Sequence, residues 1–499
     1  MRKFLFITCL TWALFCGHKG YAQSESTIAA TGSGRQLLPV AGMQQDLLIL
    51  RDAFKAIHPA YGLYTSGDRL QQRCDTTMEA LRRPLTEDEF INTLYPFVSA
   101  LKCGHTQIKH AVNYQPSLAY RMPQLPFQVL VQQGRAWVTT CRLTAIQTGD
   151  ELLSINSVPV TDIIKHGGDL YAADGNNQTF KELFLSEYDG FEDACNKYYH
   201  WKPPYRITFR NRQGAIKTTV ADTTGKSLQS AATEVDHYKG WSSAANTDYL
   251  PLRFLRHPSV ACLEVHSYQY QDTLIFDKAF KDIQEKGAEY LIIDLRHNTG
   301  GDIRIAAKLL TYLADDPFQM VGDLWARVPD PGQTRFSAYF DSSGMESLFQ
   351  SFRSTGIKKD NHYEMAFQPA FGDLLNKTGL DKRYHYNGQL IVLIDGATFS
   401  SGAHTAAVIK QNCRKAIFIG RETAGGSEGC SGGSIQQLTL PNTGVVIDFP
   451  MLRVVSVIRH PTYGRGIMPD YPVLLTPMDV VTKRDPDLEK ALSIINSRK

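Results

Sequence analysis

Beyond its first two dozen residues this sequence has no apolar run long enough to cross a bilayer, which excludes a helical membrane span. It has no C-x-x-C and no Cys/His cluster at zinc-ligand spacing, so neither a metal site nor a cofactor is expected. The Gly-x4-Gly-Lys-Ser/Thr spacing of a phosphate-binding loop is missing. An excess of one charge sign is missing too: 53 Lys+Arg against 50 Asp+Glu leave a net charge of +3, which gives nucleic acid no reason to be a partner. There is no internal repeat and no low-complexity tract. What is there is ordinary globular material, 499 residues of which 43% are apolar and 21% charged. That excludes a disordered chain, a collagen-like repeat and a disulfide-dense miniprotein. At roughly 150 residues per domain it predicts two to four domains.

The first residues read as an export signal. Arg2 and Lys3 are basic, Phe4 to Gly17 are apolar or small, and Gly20-Tyr21-Ala22 offers small residues for cleavage after Ala22. A buried N-terminal helix is the alternative. Phe15 is too large a residue before Cys16 for a lipoprotein anchor, so the mature chain is expected in the periplasm or outside the cell. Seven cysteines follow the signal, an odd number that leaves at least one thiol unpaired within the chain.

Residues 1–22 are thus the signal peptide and 23–115 a helical domain, loose at its start. Leu47, Leu48, Leu50, Phe54 and Ile57 mark one helix face, ending before His58-Pro59. A second helix is predicted from Ser66 to Leu81, and a third after the N-cap Thr86. Residues 116–225 alternate like strands, and Gly149-Asp150-Glu151 through Pro159-Val160 resembles the strand-turn-strand signature of a PDZ domain. An unrelated small β domain is the alternative. The segment 168–200 is longer than a minimal PDZ domain needs. Residues 226–250 read as a linker. Residues 251–485 alternate strands with helices, which predicts α/β layers with parallel pairing, and 486–499 are left as a tail.

Two loops at strand ends carry the chemistry. The strand Tyr290 to Leu295 runs into Asn298-Thr299-Gly300-Gly301-Asp302, and the strand Gln389 to Ile394 into Thr398-Phe399-Ser400-Ser401-Gly402-Ala403-His404. Paired glycines before a helix expose backbone N–H groups to developing negative charge. Taken alone, each is a strand-to-helix turn, with Ser400 or Ser401 as an ordinary N-cap.

Together they resemble the tail-specific, C-terminal-processing serine peptidase family. Tyr290 to Asp302 is similar to its D-L-R-x-N-x-G-G segment, Leu393 to Gly426 to its nucleophile strand and helix, and Gly466-Ile467-Met468-Pro469-Asp470 to its closing motif. The N-terminal helices, His58-Pro59 and Gly104-His105-Thr106 resemble the tricorn-like branch and its D-G-H-T motif, with Cys103 in place of the Asp. The likeness covers essentially the whole mature chain. It implies a crotonase/ClpP-like α/β core, with Ser401 as nucleophile and Gly402 with Gly300 or Gly301 as oxyanion donors.

The family's Ser/Lys form has a lysine where this chain has Gly426, so the resemblance makes His105 the general base. An imidazole can accept the serine proton and return it to the leaving amine. The branch's orienting acid falls on Tyr463, and Glu422, Glu428 and Asp448 are alternatives without positional support. Asp470 is expected to be structural and His404 to lie on the helix surface. The leading reading is an exported serine endopeptidase acting on unfolded or C-terminal polypeptide segments. An inactive relative that binds peptide or small apolar ligands is the runner-up, and a crotonase-like acyl-thioester enzyme is third. Oligomeric state is not legible.

Overall fold

The N-terminal helices form where apolar spacing and caps put them. In the computed structural model, which describes residues 37–115, 124–222, 234–244, 250–257, 259–269 and 272–498, helices run Val40–Ile57, Gly67–Ala80 and Glu87–Ser99. The expected signal peptide, with Cys16, lies outside the described residues. Met43, Leu47, Leu50, Phe54 and Ile57 are buried on the first helix, which ends as His58, preceding proline, turns extended. Ser66 caps the second helix. Thr86 and Glu89 form a reciprocal capping box on the third. The Phe54 ring packs against Phe97 and Phe449, fastening these helices to a strand of the C-terminal half.

Five strands of the central sheet are parallel, in the order Tyr471–Pro472, Ile417–Gly420, Gln389–Ile394, Tyr290–Asp294 and Val260–Glu264. Leu252–Leu255 and Ser242–Ser243 extend it antiparallel, so part of the expected linker is an edge strand. Such strands are buried on both faces, and successive side chains alternate between them. Leu291, Ile293 and Val392 join Phe276, Phe280, Leu309 and Ala406 of three covering helices. Ile292, Ile391 and Leu393 face the other way, against Leu488, Ala491 and Ile495. Residues 486–499 are therefore not simply a tail: helix Pro486–Ser497 starts from the Asp485 cap and packs on this face of the sheet.

A second, antiparallel sheet was not anticipated. Ile108–Lys109, Val446–Val455, Asp323–Ala326, His362–Phe367 and Phe352–Lys359 are its strands in order, with Gly429–Thr439 also on Val446–Val455. The middle segment builds a third sheet from Phe127–Gln132, Arg135–Cys141, Glu151–Ile155, Tyr205–Arg210 and Ile216–Ala221, with Val158–Pro159 on the third strand. Helices Val160–Gly168 and Thr179–Glu187 accompany it, and it has its own apolar core. The seven cysteines among the described residues are free thiols. Among the described residues no helix is long and apolar enough to cross a membrane. The carboxyl ends of the two inner parallel strands are where the loops singled out above emerge, the usual position of a site in an open α/β sheet.

Candidate active site

The two loops are clamped to each other. The buried Asp395 carboxylate accepts the N–H of Ala397 and, across the gap, of His297, at 2.9 and 3.0 Å. Thr398 Oγ1 donates to Leu295 O at 2.8 Å, and Phe399 N donates to Asn298 O at 2.8 Å. The chain then turns sharply into helix Ser401–Asn412, and Ser400 takes up that turn with φ 49° and ψ −126°. An L-residue holds such a conformation only where its surroundings over-determine it, which is characteristic of functional turns.

The geometry brings Ser400, and not the expected Ser401, up to His105. Ser400 Oγ stands 3.0 Å from His105 Nε2. Ser401, the first residue of the helix, donates its hydroxyl to Gly301 O at 2.8 Å and is occupied there. Two of the expected donors are already engaged. Gly402 N–H is used by Phe399 O at 2.8 Å, and Gly300 N–H by Asn298 Oδ1 at 2.8 Å. Gly402 is needed for space, since a Cβ would sit 2.4 Å from Asn298 O. The N–H groups of Ser401 and Gly301 have no hydrogen-bond partner among the described residues. A Cβ on Gly300 would come within 3.0 Å of Ser401 N, so the double-glycine turn lies directly against the serine.

His105 enters from the loop after the third helix. Its ring lies 4.4 Å from that of Phe399, and Gly432 backs it so closely that a Cβ there would meet Cε1 and Nε2 at 3.4 Å. Burial, and then the Arg453 guanidinium, pull its pKa down to about 3, so the imidazole is neutral at pH 7. His58 is a separate buried imidazole. Its Nδ1 accepts Ala60 N–H, which leaves Nε2–H to donate to Thr106 Oγ1 at 2.8 Å and holds the residue next to His105.

The acids proposed from sequence are engaged elsewhere. Glu422 pairs with Arg465 at 2.6 Å, Asp448 with Lys109 at 2.7 Å, and Glu428 accepts from Tyr64 and Gly464. Tyr463 is exposed and donates to Leu63 O at 2.6 Å. Asp470 accepts Phe418 N–H and pairs with Lys410, a structural tie as expected. His404 is not on the surface: it is 5% exposed and its Nε2 lies 2.7 Å from Met320 O.

The carboxylate that does approach His105 is Asp174, which sequence reading missed. One ring nitrogen of His105, one Asp174 oxygen and Cys103 Sγ lie within 4.8 Å of one another. Asp174 is 3% exposed. Its Oδ1 accepts Gly104 N–H at 2.7 Å, Gly426 N–H also donates to the carboxylate, and Oδ2 carries no hydrogen bond. Burial pushes its pKa up to about 7. It comes from the middle segment, in the stretch whose surplus length was the one sequence signal of a further role.

Comparison with known proteins agrees with this architecture. Residues 259–473 match peptidase family S41. The structure of mature CPAF complexed with lactacystin is 18% identical with a TM-score of 0.58, over 91% of this chain and 97% of that one. The crystal structure of mature CPAF gives 18% and 0.56, over 89% and 94%. At these identities the likeness is one of fold. A protein of Chlamydia pneumoniae is 25% identical over 276 residues, which are 47% of this chain and 43% of that protein, so the match spans less than half of that relative. The family match is confined to residues 259–473, the segment that carries both loops, and there it supports a serine-type peptidase domain.

Proposed function

We propose that this chain is an exported serine endopeptidase that cleaves unfolded or C-terminal polypeptide segments, with Ser400 as nucleophile and His105 as general base. The observation that carries the reading is the 3.0 Å contact of Ser400 Oγ with His105 Nε2 at the strained entrance to helix Ser401–Asn412. Ser400 O–H donates to the neutral imidazole, which takes the proton as Oγ attacks the peptide carbonyl. The oxyanion so formed meets the N–H groups of Ser401 and Gly301. His105 then returns the proton to the leaving amine, and water hydrolyses the acyl-enzyme by the same route.

Protonating His105 is the costly step, because burial and Arg453 both oppose it. Asp174 is the positioning residue that offsets this. Once ionised, as it is above its own pKa of about 7, a carboxylate within 4.8 Å is worth about 3 kcal/mol to the imidazolium at an effective dielectric near 20. This acid makes the inactive-relative reading the weaker one.

The test is hydrolysis of unfolded casein by the purified mature chain, beside Ser400→Ala, Ser401→Ala and His105→Ala. Activity in wild type and Ser401→Ala, with loss in the other two, is expected. Inert wild type, or activity surviving in Ser400→Ala, overturns the assignment.

A further inference from the structure

We infer that Cys103, His105 and Asp174 form an inhibitory binding site for a divalent transition metal of the zinc class. The three side chains are 1%, 1% and 3% exposed, and one donor atom from each lies within 4.8 Å of the others. Thiolate, imidazole and carboxylate are the donor types that zinc takes together. Tetrahedral bonds of about 2.0 to 2.3 Å place donors about 3.3 to 3.7 Å apart, so the set has to contract by roughly 1 Å to close on an ion.

A second observation points to a ligand. Asp174 Oδ2 is buried without a hydrogen bond, although Oδ1 of the same carboxylate is well satisfied. A buried polar atom left this way asks for an explanation, and an ion held between donors is one. Linear spacing hides the set, because Asp174 arrives from another module.

Binding forms bonds from the metal to the Cys103 thiolate, a His105 ring nitrogen and the Asp174 carboxylate. The Cys103 thiol proton goes to solvent, as metal binding requires of its thiol ligands. The fourth position is left to water. Inhibition rests on the peptidase reading above. A metal on Nε2 takes the lone pair that accepts the serine proton, and one on Nδ1 blocks the imidazolium. Metal binding itself does not rest on that reading.

The experiment is titration of the metal-free full mature chain with Co(II), read as thiolate-to-cobalt charge-transfer absorption and visible ligand-field bands, then back-titration with Zn(II). Expected are a band saturating at one equivalent, its displacement by zinc, and its loss in Cys103→Ser. In Asp174→Asn the affinity should fall by more than the roughly 10–100-fold that an outer-shell partner is worth. Cys141→Ser, which alters a partly exposed thiol elsewhere, should leave the band in place. Far-ultraviolet dichroism establishes that each variant is folded. No band in the wild type, or a band that survives in folded Cys103→Ser, overturns the inference. Zinc-reversible loss of casein cleavage, restored by chelator, is the functional counterpart. A cobalt band with no cleavage of any substrate retains the metal site and sinks the peptidase reading, and cleavage without a band does the reverse.

Discussion

Replacing the adjacent serines one at a time separates a nucleophile from a scaffold hydroxyl. In Ser400→Ala the atom 3.0 Å from His105 Nε2 is removed, and by analogy with other serine peptidases kcat should fall by on the order of 10⁵ to 10⁶. In Ser401→Ala only the 2.8 Å bond to Gly301 O is lost, a matter of about 1 kcal/mol and so less than roughly tenfold in rate. Stability gives an independent reading of the same turn. Ser400→Ala keeps a Cβ at φ 49° and ψ −126°, whereas Ser400→Gly does not. Relief of about 1–3 kcal/mol of backbone strain, less about 0.5–1 kcal/mol for the entropy of glycine, should make the glycine variant the more stable of the two. For a folded unit of this size that is roughly 1–2 °C in Tm. The assays are casein hydrolysis, labelling by a serine-directed phosphonate with the adduct located by mass, and thermal unfolding. Phosphonate on Ser401, or a glycine variant that melts below the alanine variant, would refute the reasoning.

Asp174→Asn keeps an oxygen for the N–H groups of Gly104 and Gly426 but not the charge, so kcat should drop by roughly 10³–10⁴ with KM unchanged; an equal loss in both constants would count against the positioning role. His297 bridges the middle module to the core, 2.7 Å from Asp395 and 2.9 Å from Glu187. Against burial, which pulls it down, these carboxylates push its pKa up to about 10. A raised folded pKa stabilises fully below the unfolded value and is lost as pH climbs through the folded one. The Tm gap between wild type and His297→Gln should therefore be widest at pH 6 and close toward pH 10, and a gap that grows with pH would contradict it. Gly301→Ala sets a Cβ 2.3 Å from Tyr268 O at φ 132°. It should cost on the order of 3 kcal/mol in urea unfolding as well as activity.

What the sequence made legible follows from periodicity and local chemistry. The strand Gln389–Ile394 is a continuous apolar run, and Thr86 with Glu89 is a cap readable from four letters, so both were found with their ends nearly right. Two neighbouring serines are a different problem. Which one faces His105 depends on whether the helix begins at 400 or 401, and letter spacing does not carry that; which backbone N–H groups the turn leaves open is set by the same one-residue offset. His404 was misplaced because the helix around it is small rather than overtly apolar, yet Ser401 through Ile409 are all buried. The long strands Gly429–Thr439 and Val446–Val455 carry Gly432, Gly433, Asp448, Pro450 and Arg453, which break the alternation a strand is recognised by. Asp174 was out of reach on any local argument, because its partner His105 belongs to another module.

The middle module carries Asp174 on a loop that reaches into the C-terminal half. Its loop is locked to the segments around His105 by hydrogen bonds: Gly175 N donates to Lys102 O at 3.0 Å and Asn176 N to Gly464 O at 2.7 Å, while the Asn177 side chain donates through Nδ2 to Thr423 O at 2.8 Å. The Phe180 ring follows onto Phe399, which itself lies against His105. Excising the module would therefore remove Asp174 along with any peptide-binding surface, and loss of activity on deletion could not tell the two apart. A single methyl group can. A Cβ on Gly175 would fall 2.6 Å from both the Cα and the O of Gly464, at φ 58°, with backbone on both sides and no flexible side chain to yield. Gly175→Ala must displace the loop, and a displacement near 1 Å at a positioning group costs roughly 10²-fold in rate. The variant touches neither Ser400 nor His105, and the module keeps its own core. Lowered kcat at unchanged KM, measured by casein hydrolysis with folding verified by dichroism, is the expected result. Wild-type kcat in a folded Gly175→Ala would show that the loop's position does not govern the base, and Asp174 would lose its assigned role with it.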